Sequence, residues 1–202
     1  MLDVEVIADP ATAVVALDPI RSRLLAELTE PASAATLAAR VGIARQKVNY
    51  HLRALEQHNL VAIAGERRWG GLTERLLVAT ASSYVVSPGA LGPASADPGR
   101  ASDRLSASYL IAVAARSVSE VGELWRTARS RNKRLATLSI DAVVRFRSPA
   151  ERAAFTRELS EAVAGLTARY HDESNPEGRA HRVVIAAYPA PGTDVKEEPK
   201  CP

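Results

Sequence analysis

The chain has 202 residues, 26 basic against 23 acidic side chains, a formal charge of +3 and one cysteine, Cys201. That length can bury a real core in one large or two small domains, while a lone cysteine excludes a disulfide framework and a thiolate metal cluster. No apolar run approaches the ~20 residues of a membrane span, and the opening Met1-Leu2-Asp3-Val4-Glu5-Val6 lacks the basic-then-apolar layout of a signal peptide. The expectation is a cytoplasmic protein with no membrane partner.

Asp18-Pro19 has the form of a helix N-cap followed by proline, and Ile20, Leu24, Leu25 and Leu28 then fall on one helical face. A second helix starts near Ser33, buries Leu37, Ala38 and Val41, and stops at Gly42. After only Gly42-Ile43-Ala44 a third begins, with Val48, Leu52 and Leu55 apolar, and ends near His58-Asn59, where asparagine suits a left-handed terminus. Residues 60–64 and 75–79 are β-like runs on either side of a glycine-rich turn containing Gly70-Gly71, and together they predict a hairpin.

Two helices joined by a three-residue glycine turn predict a helix-turn-helix whose second helix is presented outward, toward the DNA major groove. The preceding helix and the following hairpin complete a winged form. With Val48, Leu52 and Leu55 on the buried face, Arg45, Gln46, Asn49, Tyr50 and Arg53 project away from it. Arginine pairs bidentately with guanine, and glutamine or asparagine with adenine. Lys47 and Tyr50 suit phosphate oxygens, which set register without reading sequence. Arg67 and Arg68 near the hairpin tip suit the backbone or a narrow minor groove, and Trp69 is expected to pack at the base of the wing. Charge agrees: between Arg40 and Arg68 six basic residues face only Glu56 and Glu66. The plainer reading of these side chains is a solvated polar face. His51, at the core edge with no second ligand at helical spacing, reads as a hydrogen-bonded packing residue rather than a metal ligand.

Residues 18–80 resemble the winged-helix domain of ArsR-type bacterial transcription regulators. The resemblance lies in Leu37-Ala38-Ala39-Arg40-Val41-Gly42-Ile43 and in Val48-Asn49-Tyr50-His51-Leu52-Arg53-Ala54-Leu55 followed by Leu60-Val61. It covers about a third of the chain. It implies a homodimer that binds double-stranded DNA and regulates transcription. Metal-sensing members carry cysteine pairs in the recognition region, and this chain has none there.

Residues 87–100, with three prolines and three glycines by position 99, read as a linker between domains at 1–86 and 101–189. Residues 102–130 read as one long helix through Leu105, Tyr109, Val113, Val121, Leu124 and Ala128, the natural dimer element. Its end carries Arg126, Arg129, Arg131, Lys133 and Arg134 without an acid. Leu138, Ile140, Ala142, Val144 and Phe146 alternate with period two and predict a strand. Ser148-Pro149-Ala150-Glu151 predicts a capped helix burying Phe155, Leu159, Val163 and Leu166. Residues 181–188 predict a second strand, ended by Pro189, before a disordered tail at 190–202. The expected class is therefore α+β: an N-terminal winged helix-turn-helix, a long helix and a small β-α-β domain for dimerisation.

Tyr109, Trp125, Phe146, Phe155 and Tyr188 are available to line a small-molecule effector pocket, although so few aromatics more often form core. The polar Tyr170-His171-Asp172-Glu173 reads as an exposed helix end. No phosphate-cradling glycine loop, paired-histidine metal motif or nucleophile elbow occurs. No cofactor, metal or catalytic residue is expected. The alternative to a DNA-binding regulator is a small-molecule receptor or protein-interaction module that uses a winged helix for protein contacts.

Overall fold

The computed structural model describes residues 1–69, 72–175 and 177–191. It divides into two compact units, Met1–Ala136 and Thr137–Pro202.

Unit 1 opens with strand β1 (Glu5–Ile7) and helices α1 (Pro10–Leu17) and α2 (Pro19–Glu27). Asp9 accepts the N–H of Thr12 at 2.8 Å, and Asp18 accepts those of Ile20 and Arg21 at 3.0 Å, each just ahead of a proline at the first turn. Periodicity marks only the second of these starts, yet Asp9-Pro10 carries the same signature. Helix α3 (Ala34–Val41) is capped by Ser33 and ends at Gly42, whose φ of 70° is the left-handed conformation that glycine takes without a Cβ penalty. Helix α4 (Arg45–Gln57) follows after the expected short turn, and Asn59 closes it at φ 57°.

Strands β2 (Val61–Trp69) and β3 (Leu72–Ala79) pair antiparallel from Val61 opposite Ala79 to Trp69 opposite Leu72. Both run further than their apolar runs suggest. The added length is held by facing opposite charges, Glu66 across from Arg75 and Arg67 across from Glu74. Leu24, Leu28, Leu37, Val48 and Leu55 are fully buried where α2, α3 and α4 meet. Burial of each such side chain contributes roughly 1.5–3 kcal/mol. Strand β4 (Tyr84–Val86) then returns beside β1 in parallel, a pairing that no local pattern announces.

Residues 87–100 are not a linker here. Two 3-10 turns, Pro88–Ala94 and Pro98–Arg100, pack against helix α5 (Ala107–Ser130). Ser87 Oγ lies 2.9 Å from Ser119 Oγ, and Pro98 is buried. Proline and glycine prevent a regular element without preventing packing, and the compact units divide instead after Ala136. Helix α5 begins at Ala107 rather than 102, because Ser106 accepts the N–H of Tyr109 and acts as the cap. Leu105 lies outside the helix and is 97% exposed. α5 lies close to β1 at Gly122, where a Cβ would stand 2.7 Å from Val6 Cγ1.

In unit 2, helix α6 (Pro149–Tyr170) starts as expected. Ser148 Oγ accepts the N–H of Glu151 at 3.1 Å, and Glu151 accepts that of Arg147 at 2.6 Å. The two flanking strands are absent. Residues 138–146 and 181–188 carry no regular structure, so the β-α-β arrangement does not form among the described residues. Alternation predicts a strand only where a neighbouring edge and a surface to bury are supplied; Leu138 and Ile140 are instead 86% exposed. The predicted tail falls almost wholly on residues 192–202, outside the described ones. Among the described residues no helix is long and apolar enough to cross a membrane.

Candidate nucleic-acid interface

Helix α4 divides cleanly into two faces. Val48, His51, Leu52 and Leu55 are buried, while Arg45, Gln46, Lys47, Asn49, Tyr50 and Arg53 are exposed. The division follows from 3.6-residue periodicity, which puts 48, 52 and 55 over α2 and α3 and leaves the rest outward. Arg67 and Arg68 of β2 are exposed as well. The expectation for Gly70-Gly71 and the packing expectation for Trp69 lie outside the described residues and side chains.

Glu74 ties these parts together, and sequence reasoning passes over it. From β3 it accepts a hydrogen bond from Arg67 Nη2 at 2.9 Å, while Arg45 Nη2 lies 3.7 Å from its other oxygen. The Arg67 hydrogen bond, joined by the Arg45 charge, holds the Glu74 carboxyl below its ordinary value. The start of α4 and the wing therefore share one carboxylate. Once a hairpin is predicted, the position of Glu74 across from Arg67 is the signal that would find it. Among the described residues Lys47, Arg53 and Arg68 make no ion pair, whereas Arg75 pairs with Glu56 at the far end of α4. The α4 N-cap, Ala44, has no side-chain oxygen to give, so no side chain caps the first amides of the helix.

His51 corrects an expectation. It packs as predicted, 6% exposed and edge-on to Tyr50, but both ring nitrogens lack a hydrogen-bond partner. Burial pushes its pKa below the ordinary value; Asp18 opposes this, and the Arg21 and Lys47 charges add to it. Above pH 6.5 the ring is neutral in both folded and unfolded chain, so it imposes no pH dependence there. Below 6.5 the unfolded chain takes up the proton first, and stability falls. His51→Leu should remove that loss between pH 6.5 and 5. It should also add about 1–3 kcal/mol at neutral pH, the cost of an unsatisfied buried polar group. Paired urea titrations of wild type and variant across this range check it, and parallel pH profiles would refute it.

Phe146 and Phe155 meet within unit 2 with ring centroids 5.3 Å apart and planes tilted by 53°, Trp125 lies under Arg129 in unit 1, and Tyr188 is exposed. A cleft of about 1060 Å³ in unit 1 is lined by residues including Glu5, Asp9, His58, Arg126 and Arg129, and by none of the five aromatics. Arg129 bonds Glu5 at 3.1 Å, so part of the basic run fastens α5 to β1. Tyr170-His171-Asp172-Glu173 is an exposed helix end as expected, with His171 3.2 Å from Glu173.

Residues 16–64 match a family model described as a helix-turn-helix domain. The match spans α2, α3 and α4, so the chain carries a helix-turn-helix domain with its exposed face on α4. Among solved structures the chain is similar to NolR from Sinorhizobium fredii, at 24% identity and a TM-score of 0.30, over 35% of this chain and 67% of that one. The chain matches no curated protein.

Proposed function

We propose that this protein is a sequence-specific, DNA-binding transcription regulator of the ArsR-like winged type. It works as a homodimer in the cytoplasm, with α4 in the major groove and the β2–β3 wing on the backbone or minor groove. The observation that carries this reading is the exposed face of α4, continued onto the wing through the shared contact of Arg45 and Arg67 with Glu74. In this reading Arg45, Gln46 and Asn49 meet base edges, Lys47, Tyr50 and Arg53 meet phosphates, and the amides at the uncapped start of α4 face a phosphate oxygen. Helix α5, with Ile111, Val121 and Leu124 exposed, contributes to the dimer, which would match paired half-sites about one DNA turn apart. A small-molecule effector is compatible with this scheme and would enter without thiolate chemistry.

Selection of bound sequences from fragmented genomic DNA tests the proposal, and recovery of no preferred sequence would sink it. Against the selected site, Arg45→Ala or Gln46→Ala should lower the preference for one base pair by about 1–3 kcal/mol. Lys47→Ala should weaken matched and mismatched duplexes alike. Equal effects of all three variants on every duplex would remove base reading from α4.

A further inference from the structure

Unit 2 has the sequence of a folded domain and the burial of none. Its helix is capped at Ser148 and carries Phe155, Leu159, Val163 and Leu166 at helical spacing, yet no residue of α6 is buried. The same holds for every described residue from 137 to 191. Leu138, Ile140, Val143, Val183, Ile185 and Tyr188 are all more than half exposed. Ordering each residue costs about 1–2 kcal/mol of backbone entropy, and a domain this small with an empty interior has nothing to offset that. Among the described residues of unit 2 these apolar faces nowhere bury one another, so the missing interior has to be supplied from outside the unit.

We propose that unit 2 is half of a fold completed by unit 2 of a second copy, with residues 138–146 and 181–188 becoming strands against the partner and α6 closing over them. Area and charge both identify the occupant as a copy of this chain. Eleven large apolar side chains of unit 2 are between 37% and 86% exposed, more than a folded monomer leaves in one region and sufficient to furnish one side of an interface of about 800 Å² per partner. Residues 137–202 carry nine basic and ten acidic side chains. That balance neither repels a second copy nor attracts a nucleic acid or a strongly charged partner. A two-fold contact is self-complementary, so each half presents the edge and the apolar face that the other lacks. The period-two pattern of 138–146 is then a true strand signal whose partner lies in another chain. The inference deepens the dimer of the proposed regulator by giving its main seat to unit 2, leaving α5 the smaller share.

The test uses the full-length chain without DNA. Hydrogen exchange on the wild type at micromolar concentration should show protected amides in 138–146 and 181–188, with protection lost on dilution as light scattering reports monomer. Ile140→Asp with Val184→Asp should raise the dimer Kd by about 30-fold or more, while the unfolding transition of unit 1 persists. Val121→Asp with Leu124→Asp on α5 should raise it less. A monomeric wild type, fast exchange of both segments in a dimer, or an unchanged Kd in the unit 2 variant would each overturn the proposal. Binding of a single half-site by the monomeric variant reports on DNA reading separately. Its absence would count against the regulator assignment and leave the dimer seat standing.

Discussion

Leu55→Ala should lower the unfolding free energy of unit 1 by about 2–5 kcal/mol, the range for truncating a buried leucine in a packed core. Leu55 is fully buried near the end of α4, where the helix leads through Asn59 into β2. The same core contains Leu24 and Leu28 of the α2 region, Leu37 of α3 and Val48 of α4 itself. The carbons lost leave a cavity that helices on both sides hold open, so relaxation recovers little of the cost. Because α4 owes its orientation to this face, the variant should also lose the fixed presentation of Arg45 through Arg53. Urea unfolding followed by tryptophan fluorescence and by circular dichroism should show one transition moved to lower denaturant, with the slope unchanged. A loss below about 1 kcal/mol would mean that α4 is not seated on this core.

Affinity for DNA should fall steeply with salt. If Lys47, Arg53, Arg67 and Arg68 each neutralise one phosphate in both half-sites of the dimer, the log–log slope is about −7, and raising salt from roughly 50 to 200 mM weakens binding about 10,000-fold. Glu74 makes this prediction specific to the structure. Its carboxylate competes with DNA for Arg45 and with phosphate for Arg67, so Glu74→Gln should strengthen binding to arbitrary duplexes roughly threefold to tenfold and steepen the slope. Selectivity should decline at the same time, because the arginine held for base contact is released. Fluorescence anisotropy on one selected and one scrambled duplex across a salt series measures both quantities. Unchanged binding to the scrambled duplex would place Arg67 away from the phosphates. The variant also loses an acid effect. The depressed Glu74 pKa means its contribution to stability is present above pH 4.5 and fades as pH falls below that value.

Most of the helix-turn-helix was legible because its signals are local. Asp18-Pro19, Ser33, Gly42 and Asn59 each govern the backbone within a few residues, and the structure places all four at helix ends. The exposed face of α4 was legible for the same reason, since periodicity within one helix decides which side is buried. Glu74 was not. Its role depends on a strand register and on the reach of an arginine 29 positions away in sequence, neither of which leaves a local mark. His51 was half legible: its burial follows from periodicity, but the lack of a partner for either nitrogen depends on what α2 happens to offer.

Residues 87–100 and 138–146 are misread in opposite directions. In the first, proline and glycine suggest a free linker, yet the segment packs through Ser87 and Pro98. In the second, alternation suggests a strand, yet nothing within the described chain pairs with it. Composition and period report what a segment is suited to do. Whether it does so depends on the surface opposite. The sequence by itself determined the helices, their caps and which side of α4 turns outward, because those follow from interactions within a few residues. Only the tertiary structure decided the β1–β4 pairing, the Arg45–Glu74–Arg67 contact and the bare apolar faces of unit 2, because each requires groups remote in sequence to meet, or to fail to meet.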